Sequence, residues 1–139
     1  MECSEFVLLV DDDRITNYLN QRTISKLYPC MDIIVKNNGK EALQFIQSLI
    51  DENKPLPTYI FLDLNMPVLN GFDFLVGFNK LNVDDSRTTI TVLTTSNNSD
   101  DIEKINSLGN YSYVTKPLTS AKLSTIFDGN LLATFDTAH

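Results

Sequence analysis

Long apolar runs are missing from this 139-residue chain. The N-terminal stretch MECSEFVLLV carries Glu2 and Glu5 and only five consecutive apolar residues. That is too few for a secretory signal or a membrane span, so a cytosolic protein is expected. Cysteine is scarce: Cys3 and Cys30 show no metal-ligand spacing, and two thiols in a cytosolic chain read as unpaired packing residues rather than a disulfide. Nor is there a basic run. The 11 Lys and Arg residues are scattered among 18 Asp and Glu, and a net charge of −7 argues against direct binding to a nucleic-acid backbone. Any output on DNA would need another protein. Low-complexity tracts and internal repeats are absent as well. What remains, 42% apolar and 21% charged residues, is an ordinary globular composition. The length suits one domain over 1–139, with its core over about 6–127 and a short C-terminal tail from about 136.

The stretch from Thr58 to Gly71, TYIFLDLNMPVLNG, organises the rest. Tyr59 to Leu62 is apolar without polar alternation, as in a strand covered on both faces of a parallel sheet, and Asp63 follows at its carboxyl end. In open α/β sheets the ligand crevice lies beyond those strand ends, so an acid there is placed for chemistry; a helix cap or turn is the plainer role for such an Asp. Met66-Pro67 begins a turn, and Gly71 frees the backbone before a helix.

The same pattern recurs at Phe6 to Val10, which ends in Asp11, Asp12 and Asp13. Helical spacing follows in Ile15, Tyr18, Leu19 and Leu27, with Asp13 as its cap and Pro29 just past its end. Ile33 to Val35 reads as a strand. Asn37-Asn38-Gly39 then leads into a helix with Ala42, Leu43, Ile46, Leu49 and Ile50 on one face. A polar connection, Asp51 to Pro57, precedes the central strand. Beyond Gly71, Phe72, Leu75 and Phe78 mark a helix weakened by Gly77, by about 1 kcal/mol relative to Ala. After a polar loop from Asn82, Thr89 to Leu93 is a strand that delivers hydroxyls at Thr94-Thr95-Ser96. Ser99 is the expected cap of a helix with Ile102, Ile105 and Leu108 that ends at Gly109. Tyr111 to Thr115 is the fifth strand and ends in Lys116-Pro117; Thr119 or Ser120 caps a last helix carrying Leu123, Ile126, Phe127 and Leu131. Five strands alternating with five helices predict a doubly wound α/β fold with right-handed crossovers.

The strand ends thus gather Asp11, Asp12, Asp63, Thr94 and Lys116. Three carboxylates a few ångströms apart repel strongly unless a cation joins them, which predicts a divalent metal. Oxygen-only ligands select a hard ion, and Mg²⁺ tolerates several waters beside one or two carboxylates. A metal-held carboxylate beside a lysine and a hydroxyl is equipped to accept a phosphoryl group.

The motifs LLVDDD, FLDLNMPVLNG, VLTTS and YSYVTKP, in this order, resemble those of the bacterial two-component response-regulator receiver domain, in its stand-alone form without an attached output domain. The match runs from Phe6 to about Phe127. It implies a flavodoxin-like fold with strand order 2-1-3-4-5, and a phosphorylated signalling domain rather than an enzyme acting on other substrates. By the resemblance, Asp63 is the phosphoacceptor, Asp11 and Asp12 are metal-binding acids, and the main-chain carbonyl of Asn65 completes the protein ligands of Mg²⁺. Thr94 is the switch hydroxyl, Lys116 the phosphate-pairing lysine, Tyr113 the aromatic that changes rotamer, and Pro117 a cis-proline. The implied partners are a sensor histidine kinase or phosphotransfer protein, with a downstream protein or a second copy on the face of helix 4, strand 5 and helix 5. The connections 51–57 and 82–88 look longer than in minimal receivers, and Gly129 falls where the last helix should continue.

Two rival readings fit less. Asp11-Asp12-Asp13-Arg14-Ile15 approximates the D-x-D-x-T/V signature of haloacid-dehalogenase-like phosphotransferases, with Asp11 as nucleophile, but only the isolated Asp128 and Asp136 follow the lysine where a further acidic motif is needed. A flavin carrier on the same topology would need a Gly-, Ser- and Thr-rich loop after the first strand, where the three aspartates would repel a phosphate. The Phe and Tyr residues read as core, and His139 as a mobile terminal residue.

Overall fold

A computed structural model describes residues 5–64, 70–81, 88–94, 99–109 and 111–127, apart from the side chains of 99–101. The expected Met66-Pro67 turn, the loop from Asn82, Thr95-Ser96, Gly129, Leu131, the tail, Cys3 and His139 lie outside these residues. Among the described residues the strands are β1 (Phe6–Val10), β2 (Asp32–Lys36), β3 (Tyr59–Asp63), β4 (Thr89–Thr94) and β5 (Ser112–Thr115). The helices are α1 (Arg14–Leu27), α2 (Gly39–Asp51), α3 (Gly71–Lys80), α4 (Ser99–Leu108) and α5 (Ser120–Phe127).

All strand pairs are parallel, in the order β2-β1-β3-β4-β5. Because side chains alternate along a strand, each strand feeds two cores. Leu8, Val10, Ile60, Leu62, Ile90 and Val92 point to the face covered by α2, α3 and α4. Val7, Leu9, Phe61, Leu93 and Val114 point to the face covered by α1 and α5. Both faces are therefore dry, which is why the strands read as continuous apolar runs.

Short polar side chains set the helix starts. Asp13 accepts from the Ile15 amide at 3.1 Å and the Thr16 hydroxyl at 2.7 Å. Asn38 accepts from the Glu41 amide at 2.8 Å, Asn70 from the Asp73 amide at 3.0 Å and Thr119 from the Lys122 amide at 3.2 Å. Each such cap contributes about 1 kcal/mol. Helix α4 starts at Ser99 itself, not after it, a one-residue difference of the kind helix ends show. Strand β5 starts one residue later than its apolar pattern suggests. Its first rung pairs Ser112 with Thr91, and Tyr111 instead donates its hydroxyl to Asn79 at 2.6 Å, at the end of α3.

Helix α1 corrects the periodicity. Ile15, Tyr18 and Leu19 are 70%, 57% and 54% exposed, whereas Asn17, Asn20 and Ile24 are buried. The inward face has helical spacing, but two of its three buried positions are asparagines, so a search for apolar residues selects the outward face instead. Gly77 has a packing role beyond its low helix propensity: a Cβ there would meet the Leu43 side chain of α2 at 2.6 Å.

Gly71 lets α3 start against the end of β3. Its amide donates to the Leu64 carbonyl at 3.0 Å, and an added Cβ would lie 2.8 Å from both the Asp63 carbonyl oxygen and Leu64 Cα. Those atoms are backbone and cannot rotate away. Gly71→Ala is therefore expected to lower stability by about 1–3 kcal/mol, the cost of overpacking, and a urea midpoint equal to that of the wild type would contradict this close approach.

Candidate functional site at the carboxyl edge of the sheet

The carboxyl ends of β1, β3, β4 and β5 bring polar groups to a common edge. Asp63 is the last residue of β3 and is buried, as is Asp11, which follows β1. Asp12 is exposed. Carboxylate oxygens of Asp11, Asp12 and Asp63 all lie within 4.8 Å of one another. From the end of β5, the Lys116 ammonium reaches between two of them, 3.1 Å from Asp63 Oδ1 and 3.3 Å from Asp11 Oδ2. Thr94, the last residue of β4, is buried, and its carbonyl accepts from the Lys116 amide at 2.8 Å. Asn65 lies outside the described residues.

The electrostatics follow from this packing. Burial pushes the Lys116 ammonium down, but the bond to Asp63 and the charges of Asp11 and Asp63 outweigh it and hold the group above its ordinary value of 10.5. Lys116 is thus a fixed cation at neutral pH. With all three acids ionised, one ammonium against three carboxylates leaves two negative charges at the edge, which one dication would offset. The donors are oxygens only, and one of the acids is open to solvent, so the site suits a small hard ion that keeps part of its hydration. Asp13 stands apart: the Thr16 hydroxyl, then the Ile15 amide, hold its carboxyl below the usual 3.8, as befits a helix cap.

Asp11 is already engaged at both oxygens. Oδ1 accepts from the Asp13 amide at 2.9 Å, and Oδ2 faces Lys116. Such a carboxylate is a poor nucleophile, which counts against the phosphotransferase reading, and it is suited to act on an ion through water. Tyr113, in register with Val92 on β4, is half-buried on the face toward α4. By strand alternation Thr94 points to that same face. The peptide before Pro117 is cis.

Two residues that sequence reasoning passed over support this edge from behind. Asn17 of α1 donates its amide to the Asp11 carbonyl at 2.9 Å. Lys122 of α5 donates to the carbonyls of Thr115 at 2.7 Å and Pro117 at 3.2 Å, on either side of Lys116. Only the helical spacing of Asn17 with Asn20 and Ile24 could have signalled the first; nothing local signals the second.

Comparison with known proteins places the fold and the family. Residues 7–128 match the sequence profile of the response regulator receiver domain. The chain is 35% identical over 111 residues to the response regulator Rcp1 of Synechocystis sp., covering 79% of this chain and 75% of that protein. A solved two-component response regulator from Cytophaga hutchinsonii superposes with a TM-score of 0.76 at 28% identity, covering 93% of this chain and 97% of that one. The Mn²⁺-bound form of response regulator Rcp1 gives a TM-score of 0.70 at 31% identity, with 96% of each chain covered. Among the described residues, no helix is long and apolar enough to cross a membrane.

Proposed function

Because the chain belongs to the response regulator receiver domain family of two-component signalling, we propose that it receives a phosphoryl group on Asp63 from a histidine kinase or phosphotransfer protein in the cytoplasm and relays it by a change in the α4, β5 and α5 surface. The observation that carries this reading is the convergence of Asp11, Asp12 and Asp63 on one edge with Lys116 between two of them. An Asp63 carboxylate oxygen attacks the phosphorus of the phosphohistidine; the P–N bond breaks, its electron pair returns to the imidazole, and an acyl phosphate forms. The Asp12 and Asp63 carboxylates, Asp11 through water and, by the family resemblance, the Asn65 carbonyl would hold Mg²⁺, which would supply charge neutralisation on the transferring oxygens. Lys116 adds a second positive charge from the β5 side, already fixed in place before the donor arrives.

The relay begins with what the phosphoryl group adds: about −1.5 to −2 charges and three acceptor oxygens. Thr94 is the hydroxyl at the end of the neighbouring strand. If it turns toward the new oxygens it leaves space on the α4 side of the sheet, where Tyr113 is half-buried and able to move in, since packed interiors do not keep voids. A downstream protein or a second copy of the chain would read that change. Thr94→Ala is expected to leave Asp63 labelling largely intact while uncoupling it from the surface. Chemical-shift mapping with beryllofluoride as phosphoryl mimic checks this: wild-type changes should extend to Tyr113 and α4, and those of the variant should stop at the edge. Wild-type changes confined to the loops around Asp63 would refute the coupling.

A further inference from the structure

Asn17 is a buried amide used on one side only. It is 4% exposed on the inner face of α1; Nδ2 donates to the Asp11 main-chain carbonyl at 2.9 Å, and the buried Oδ1 has no partner among the described residues. An unpaired buried acceptor weakens a fold, so packing alone accounts poorly for this side chain; a leucine would occupy similar room without the orphan. What an asparagine adds here is the donor. The carbonyl it holds belongs to the peptide that joins Asp11 to Asp12, and the tilt of that peptide sets the direction in which the Asp12 side chain leaves the backbone.

The other bonds of this short turn do not fix that plane. The Asp11 amide donates to the Lys36 carbonyl at 3.2 Å, which continues the β1–β2 ladder. The Asp13 amide donates to Asp11 Oδ1 at 2.9 Å, and Asp13 caps α1. Asp12 lies between them, exposed, at the point where its carboxylate must stay within reach of Asp63. We infer that Asn17 is a positioning residue: its amide clamps the Asp11–Asp12 peptide so that the Asp12 carboxylate is held toward Asp63 for a shared hard divalent cation. The inference rests on the metal reading of the acidic edge and adds to it the group that sets the geometry.

The experiment is a Mn²⁺ titration by calorimetry on the full chain, comparing wild type, Asn17→Leu, Asn17→Ser and Asn20→Leu. Asn20 is buried on the same helix face, so its variant reports what loss of a buried amide does to the fold alone. Both Asn17 variants should bind Mn²⁺ about 10–100-fold more weakly, the usual effect of losing a residue that orients a ligand, and Asn20→Leu should bind like the wild type. In metal-free protein, the Asp13 amide should also exchange faster in the Asn17 variants than in Asn20→Leu. A folded Asn17 variant with wild-type affinity overturns the inference while leaving the metal reading intact. Equal weakening by Asn20→Leu assigns the effect to the helix as a whole and overturns it too. If one Asn17 variant does not fold, the other decides. No Mn²⁺ binding by the wild type overturns the metal reading and this inference together.

Discussion

Asp63→Asn is expected to take up no phosphoryl label from acetyl phosphate and Mg²⁺ under conditions that label the wild type stoichiometrically. The substitution is nearly isosteric, so the fold should persist and the loss should be chemical. Asp63 ends β3 and is reached by the Lys116 ammonium at 3.1 Å, and its carbonyl packs against Gly71 at the start of α3. An amide in its place keeps the shape but is far too weak a nucleophile toward phosphorus, and it cannot form a stable acyl phosphate. The other two acids do not substitute for it: Asp11 already accepts at both oxygens, and Asp12 is exposed rather than held against the ammonium. Intact-mass measurement reads the result directly, and stoichiometric labelling of Asp63→Asn would remove the assignment of the acceptor.

Asp12→Ala is expected to abolish metal-dependent labelling with little effect on folding. Asp12 is the exposed member of the cluster, so its loss leaves no buried group unpaired and creates no cavity. It does remove one of the two carboxylates proposed to hold the ion directly. Residues that merely orient a ligand change metal affinity about 10–100-fold, and loss of a carboxylate ligand itself should cost at least that. Lys116 remains in the variant, close to Asp11 and Asp63, so the net charge of the edge falls from two negative charges to one and its pull on a dication weakens. Calorimetric titration with Mg²⁺ and labelling with and without a chelator test both halves; unchanged affinity would contradict the role given to Asp12.

The sheet was legible because each strand is buried on both faces and therefore shows as a short apolar run ending in a polar residue. Val7 to Asp11 and Ile60 to Asp63 display this most clearly. The edge was legible for the same reason, since parallel strands all deliver their ends to one side. What stayed hidden was work done by residues whose type points elsewhere. Asn17 and Asn20 occupy the inward face of α1, whereas the apolar Ile15, Tyr18 and Leu19 that mark its helical spacing face solvent. Gly77 looked like a propensity cost, yet it makes room for Leu43 across the α2–α3 contact. Lys122 carries no local signal, yet it ties the carbonyls that bracket Lys116. In each case the deciding partner is distant in sequence or is a backbone carbonyl, and a local pattern carries no record of either.

The most direct test of the central claim is peptide mapping of the wild-type chain after brief exposure to acetyl phosphate and Mg²⁺. The strand-end geometry predicts a single labelled peptide containing Asp63, with labelling lost on chelation of the metal; label on the peptide containing Asp11 and Asp12, or metal-independent labelling, would contradict it.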